Sequence, residues 1–193
     1  MRRSLLLLII FLCAANIQVI AQSPYLTCDT IAFGNSSYSI HRNVSLKNIR
    51  IKNTQNHVRD SLIYKLGSNP REYFSYRTGY PMAIPIQERL DSVINIVFST
   101  TEIQAYCDAH SWLTVLFALD PDTGETLEVE FQMDYAFDDN EIILSLPIER
   151  LHALEVLLKQ RVVCFIPIEV NDAQMSYCTA VYSIFPYSQS GGQ

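Results

Sequence analysis

Cys107 and His110 are the two residues of this chain whose types and spacing come nearest to chemistry. A thiol and an imidazole three positions apart can share a metal ion or serve as nucleophile and base. A zinc site takes about four ligands, however, and the other histidines, His41, His57 and His152, are scattered with no companion pair. A thiol nucleophile must also stay reduced, which an oxidising compartment opposes. The residues therefore read as a structural cysteine beside a surface histidine. Asp120 to Glu141 carries nine carboxylates and no basic residue. Hard cations take several oxygen ligands, and Asp120-Pro121-Asp122-Thr123-Gly124 has the outline of a calcium loop, but it lacks a third oxygen ligand before its glycine. A hairpin turn leading into a solvated strand face explains it better. Asp134, Asp138, Asp139 and Glu141 form a second acidic group. G-x-S-x-G, H-E-x-x-H, Walker and G-x-G-x-x-G patterns are all missing from the sequence. A glycosidase-like carboxylate pair would fit among the acids, yet no spacing selects one. The expectation is of no catalytic, metal-ligating or cofactor-binding residue.

Other residues invite binding roles. Tyr73, Tyr76 and Tyr80, with Tyr64 and Phe74, crowd one stretch. Aromatics there can pack between two parts of the chain, or stack on a sugar or anchor a partner protein. Arg42, Lys47, Arg50, Lys52 and Arg59 give the N-terminal part a basic character able to meet an anionic partner, although strand alternation already explains Arg50 and Lys52 as outward-facing. The overall charge of −6 disfavours nucleic acid. Asn35-Ser36-Ser37 and Asn43-Val44-Ser45 have the form of glycosylation sequons.

The first 21 residues read as a cleavable secretory signal. Arg2 and Arg3 are followed by the apolar run Leu5 to Ala15, and Val19-Ile20-Ala21 suits cleavage before Gln22. Leu12 before Cys13 argues against a lipoprotein, and Asn16 and Gln18 cut the run short of the about 20 residues a membrane span needs. Export sets the terms for Cys28, Cys107, Cys164 and Cys178. An even number permits disulfides, with three pairings that spacing does not distinguish; four buried thiols are the plainer alternative. With no C-x-x-C, a thioredoxin-like role is not expected.

The elements that must position these residues divide by charge. Residues 23 to 90 hold nine Lys/Arg against four Asp/Glu, whereas 91 to 193 hold three against sixteen. This suggests a loop- and strand-rich N-terminal segment (22–81), an α+β domain (82–187) and a disordered tail (188–193). Alternation at Asn48 to Lys52 predicts a half-buried strand. Ile86, Leu90, Val93, Ile94 and Val97 predict a helix with Pro85 in its first turn, and Glu102 to Asp108 a second short one. Trp112 to Leu119 and Thr126 to Met133 predict a hairpin, with Leu127, Val129, Phe131 and Met133 packed and Thr126, Glu128, Glu130 and Gln132 wet. A helix follows over 147–160, with Ile148, Leu151, Leu154 and Leu158 inward and Glu149, Arg150, Glu155 and Lys159 in water. Strands at 162–170 and 176–185 close the chain, Pro167 marking an edge or bulge and Cys164 and Cys178 sharing a face if these strands pair. The order helix-strand-strand-helix-strand-strand is that of an antiparallel sheet with helices on one face.

Trp112-Leu113-Thr114-Val115-Leu116-Phe117, then Asp122-Thr123-Gly124-Glu125-Thr126-Leu127-Glu128-Val129-Glu130-Phe131 and the helix at Leu151 to Leu158, resembles the C-terminal domain of TonB-type proteins over about residues 86 to 185. The overall design also resembles small exported Gram-negative proteins of unknown function. The TonB resemblance implies partner binding in the envelope without catalytic residues. The proline-rich linker of that family is missing here, so energy transduction is not implied. The expectation is a non-catalytic exported protein that binds an envelope protein or a glycan, with no stable membrane span once the signal is removed; a hydrolase using dispersed carboxylates and a structural surface component are the alternatives.

Overall fold

Apolar residues spaced two apart in the first half of the chain turn one face of each strand toward a core. A computed structural model describes residues 23–58, 84–109, 111–134, 141–166 and 177–184. After a short helical turn α1 (Pro24–Thr27), β1 (Thr30–Phe33), β2 (Ser36–Asn43) and β3 (Asn48–Asn53) form an antiparallel meander. Ile49 and Ile51 on β3 are buried, as are Tyr38 and Ile40 on β2. β3 then pairs with β6 (Thr126–Asp134), β6 with β5 (Trp112–Leu119), and β5 with β8 (Cys178–Ser183). The result is one six-stranded antiparallel sheet in the order β1-β2-β3-β6-β5-β8. The basic N-terminal strands and the acidic hairpin thus lie in a single sheet.

Helices cover one face of it. α2 (Gln87–Val97) buries Leu90, Val93, Ile94 and Val97, the four residues of its apolar stripe. α3 (Thr100–Asp108) opens on a capping box in which Ser99 and Glu102 satisfy each other's backbone. After a single turn, α4 (Glu141–Leu144), α5 (Ile148–Arg161) lays Leu151, Leu154 and Leu158 on the sheet and packs beside α2. Arg150 ties this layer together: it pairs with Glu102 at 3.0 Å, donates to the Val97 carbonyl and lies over the Phe98 ring. The α+β class and the strand–strand–helix order follow the pattern of the sequence.

Four expectations are corrected. Pro85 does not begin α2; it pairs with Cys164 in a two-stranded sheet of β4 (Ile84–Pro85) and β7 (Cys164–Phe165), an edge setting that suits a residue without an N–H donor. β7 and β8 do not pair with each other, because β8 takes the free edge of β5, so the shared face proposed for Cys164 and Cys178 falls with that pairing. Thr126, Glu128 and Glu130 are buried rather than wet: β6 is an interior strand, and the Glu128 carboxylate accepts the Val58 N–H at 2.6 Å. Glu155 is buried rather than solvated, for reasons given below. The signal segment 1–21, the tyrosines Tyr64, Tyr73, Tyr76 and Tyr80 with Phe74, and His110, Asp138, Asp139, Pro167 and the tail 188–193 lie outside the described residues.

Candidate functional site

Two places concentrate side chains that packing alone does not require. The first is the tip of the β2–β3 hairpin. Its last pair is Asn43↔Asn48, with His41↔Arg50 two pairs behind. The turn geometry is set by Asn43, whose Oδ1 accepts the Leu46 N–H at 3.0 Å, and by Lys47, which adopts a left-handed φ of 48° that few non-glycine residues take. The side chains of Val44 and Leu46 take no part in that geometry, yet these residues are aliphatic and 79% and 67% exposed. Turns ordinarily carry polar residues at such positions. Behind them, His41 and Arg50 stand exposed on the sheet face away from the helices, beside an open hollow of about 540 Å³ that Asn48 also lines. Arg42 also borders the hollow and braces the N-terminal turn, pairing with Asp29 and donating to the Tyr25 and Cys28 carbonyls at 3.3 and 2.7 Å.

The second is a buried polar relay between α5 and the sheet. Tyr38 donates to Glu155 Oε2 at 2.8 Å and lies 2.7 Å from His152 Nδ1. A phenol has one proton, so with it committed to Glu155 the Nδ1–H of His152 is the donor to Tyr38. Asn53 donates to Oε2 at 3.1 Å and Asn56 to Oε1 at 3.2 Å, while the Lys159 ammonium stands 3.9 Å away. The Phe33 ring packs against His152 at 5.3 Å between centroids. Burial, then the hydrogen bond to Glu155 and its charge, raise the Tyr38 pKa well above the ordinary phenol value. A phenol held protonated this way is a poor base, and both oxygens of Glu155 are already engaged by the protein. The relay is built to fasten a helix to a sheet.

Of the sequence-level candidates, Cys164 and Cys178 lie in one buried cluster, near enough for the charge of Cys178 to act on Cys164; the others are dispersed. The four cysteines among the described residues are free thiols: Cys28 exposed after α1, Cys107 part-buried on α3, Cys164 and Cys178 buried. Burial pushes the thiols of Cys164 up to about 12 and Cys178 up to about 11, and it also raises Cys107, with the Asp108 charge adding to it. Such thiols hold little thiolate, the nucleophilic form. Asp120 Oδ1 accepts the N–H groups of Asp122 and Thr123, both at 2.9 Å, so the carboxylate that opened the calcium-like string closes the hairpin turn. Asp134, on the second acidic group, has its carboxyl raised by burial. Among the described residues no group of three or more His, Cys, Asp or Glu is placed to hold a metal ion. The relay was missed in the sequence, though its signal was present: His152 and Glu155 flank the stripe Leu151-Leu154-Leu158, and Tyr38 alternates with Ile40 on one strand face.

The fold has a counterpart among solved structures. The chain is similar to the crystal structure of a DUF5043 family protein from Bacteroides uniformis, with a TM-score of 0.55 and 17% identity over 85% of this chain and 86% of that one. At that identity the likeness is one of fold, and the neighbour's name states no activity. No family model matches the chain, and no curated protein does. Among the described residues, no helix is long and apolar enough to cross a membrane.

Proposed function

We propose that this is an exported binding protein that performs no chemistry of its own and meets an envelope partner through the tip of the β2–β3 hairpin. The observation that carries the reading is the exposure of Val44 and Leu46 on a turn whose geometry does not call for their side chains, above a strand pair that presents Arg50. Two aliphatic side chains held in water gain free energy only when something covers them. Export is supported by Arg2 and Arg3, the apolar run Leu5 to Ala15 and the small residue Ala21. The absence of chemistry is supported by the relay, a cluster in which a phenol, an imidazole and a carboxylate meet, since both oxygens of its carboxylate are engaged from within.

Photo-crosslinking tests this. A photoreactive side chain at Leu46 of the mature chain, mixed with envelope fractions, is expected to give covalent products that the same group at Glu88, exposed on α2, does not. Equal labelling at the two positions, or none at Leu46, would count against the tip as the contact surface.

A further inference from the structure

We propose that Cys164 and Cys178 join in a disulfide as the chain folds in an oxidising compartment, leaving Cys28 and Cys107 as thiols. This rests on export and is independent of what the hairpin tip meets. Direct pairing of β7 with β8 does not bring the two cysteines together; a ring of strands does. β8 pairs with β5 and β5 with β6. Residues flanking β6 and β7 bridge at Glu125↔Val163, β7 pairs with β4 at Pro85↔Cys164, and β4 packs back against β8. Around this side of the ring only β4 stands between β7 and β8, and Cys164 and Cys178 are buried in the same core cluster. Both are also fixed to one turn. Cys178 stands opposite Leu119, with its Sγ 3.9 Å from the Leu119 carbonyl oxygen. Cys164 donates its N–H to the Gly124 carbonyl at 2.9 Å. Leu119 and Gly124 are the two sides of the β5–β6 turn, which the Asp120 N–H closes on the Glu125 carbonyl at 2.9 Å.

Electrostatics agrees with that placement. Burial first, and then the charge of Cys178, raise the Cys164 thiol, so each sulfur lies within the other's field. Cys28 follows α1 and Cys107 lies on α3, both outside the ring. The step needs an oxidant, a disulfide of the compartment such as glutathione disulfide or a protein disulfide. The thiolate of one cysteine attacks it, forms a mixed disulfide and releases one donor thiol. The thiolate of the other then attacks that mixed bond and releases the second donor thiol. Two electrons and two protons pass from the pair to the donor, which leaves as two thiols. Burial sets the order of events. In the unfolded chain both thiols titrate normally, whereas folding raises Cys178 from 9.0 to about 11, so the bond forms before the core closes. Once closed, the core shields it from reductants. β7 and β8 share no ladder, and the bond ties them covalently instead.

A thiol map of the exported chain decides it. The full chain is made in a bacterial host, recovered from the periplasm, alkylated in denaturant and digested without reductant. A linked pair of peptides carrying Cys164 and Cys178 is expected, lighter by two hydrogens than its free parts, with Cys28 and Cys107 alkylated. Alkylation of Cys164 and Cys178, or a link from either to another cysteine, would overturn the proposal. A chain that stays in the cytoplasm with Met1 retained refutes export, and refolding it from denaturant with glutathione disulfide then tests the pairing by the same map. Glutathione disulfide should form the bond in the folded, reduced chain at least about tenfold more slowly than in the unfolded chain; equal rates would refute the order of events. Reductant should lower the unfolding midpoint of the parent and of C28S/C107S, and leave that of C164A/C178A unmoved. If C164A/C178A does not fold, C28S/C107S decides, and a midpoint there that ignores reductant counts against the bond.

Discussion

Glu155 shows what a single residue decides in this molecule. Helical arithmetic places it four positions after Leu151 and three before Leu158, on the edge of the buried stripe, so a carboxylate there must find donors inside the protein. It finds Tyr38, Asn53 and Asn56. Glu155→Leu would strand those three donors, and a loss of about 3–5 kcal/mol is expected in denaturant unfolding. Tyr38 carries a pH signature as well. Its pKa and that of Tyr25 are raised by burial above the ordinary 10.0, so above that pH the unfolded phenols ionise while the folded ones stay protonated. The folded state then binds more protons, and stability should be level below about pH 10 and fall as pH rises beyond it. Melts from pH 8 to 11 should show the decline, shallower in Tyr38→Phe and in Tyr25→Phe; a flat profile in the parent would contradict it. Of this site the sequence disclosed the alternation at Tyr38 and the helix at His152. The pairing between them joins residues 114 apart, and no local pattern encodes that.

At the scale of elements, turns and caps were the most legible. The β5–β6 hairpin lies where Trp112 to Leu119 and the Asp120–Gly124 turn put it, because Asp120 and Gly124 each do something few residues can. Gly124 has a φ of 73°, and a Cβ there would run into the Cys164 carbonyl oxygen. Gly124→Ala is therefore expected to cost at least about 2 kcal/mol, read from the shift in unfolding midpoint. Ser99→Ala removes one half of the α3 capping box and should cost about 1 kcal/mol by the same measure. Illegible at this scale was which strand accepts which edge. Alternation tells a strand from a helix but gives β8 no reason to prefer β5 over β7. Likewise Pro85 suits a first helical turn and an edge strand equally well, and only the presence of Cys164 alongside decides.

At the scale of the whole molecule, the division of charge along the chain does not become a division of the fold, because β3 and β6 share a ladder from Asn48↔Asp134 to Lys52↔Glu130. That seam puts cations on one side and acids on the other, and cross-strand neighbours of opposite sign stabilise each other. Amide hydrogen exchange should be slowest in β3, β6 and β5, flanked on both sides, and fastest in the edge strands β1 and β8; equal protection across the sheet would argue against this order. The same ladder has a consequence for synthesis. A ribosome releases β3 long before Asp134 exists, so one side of the young meander stays open for the whole interval. During that time its bare N–H and C=O row is a template for any neighbouring chain. Newly made copies kept apart, by dilution or by a holding chaperone, should then give a higher yield of native protein than crowded ones.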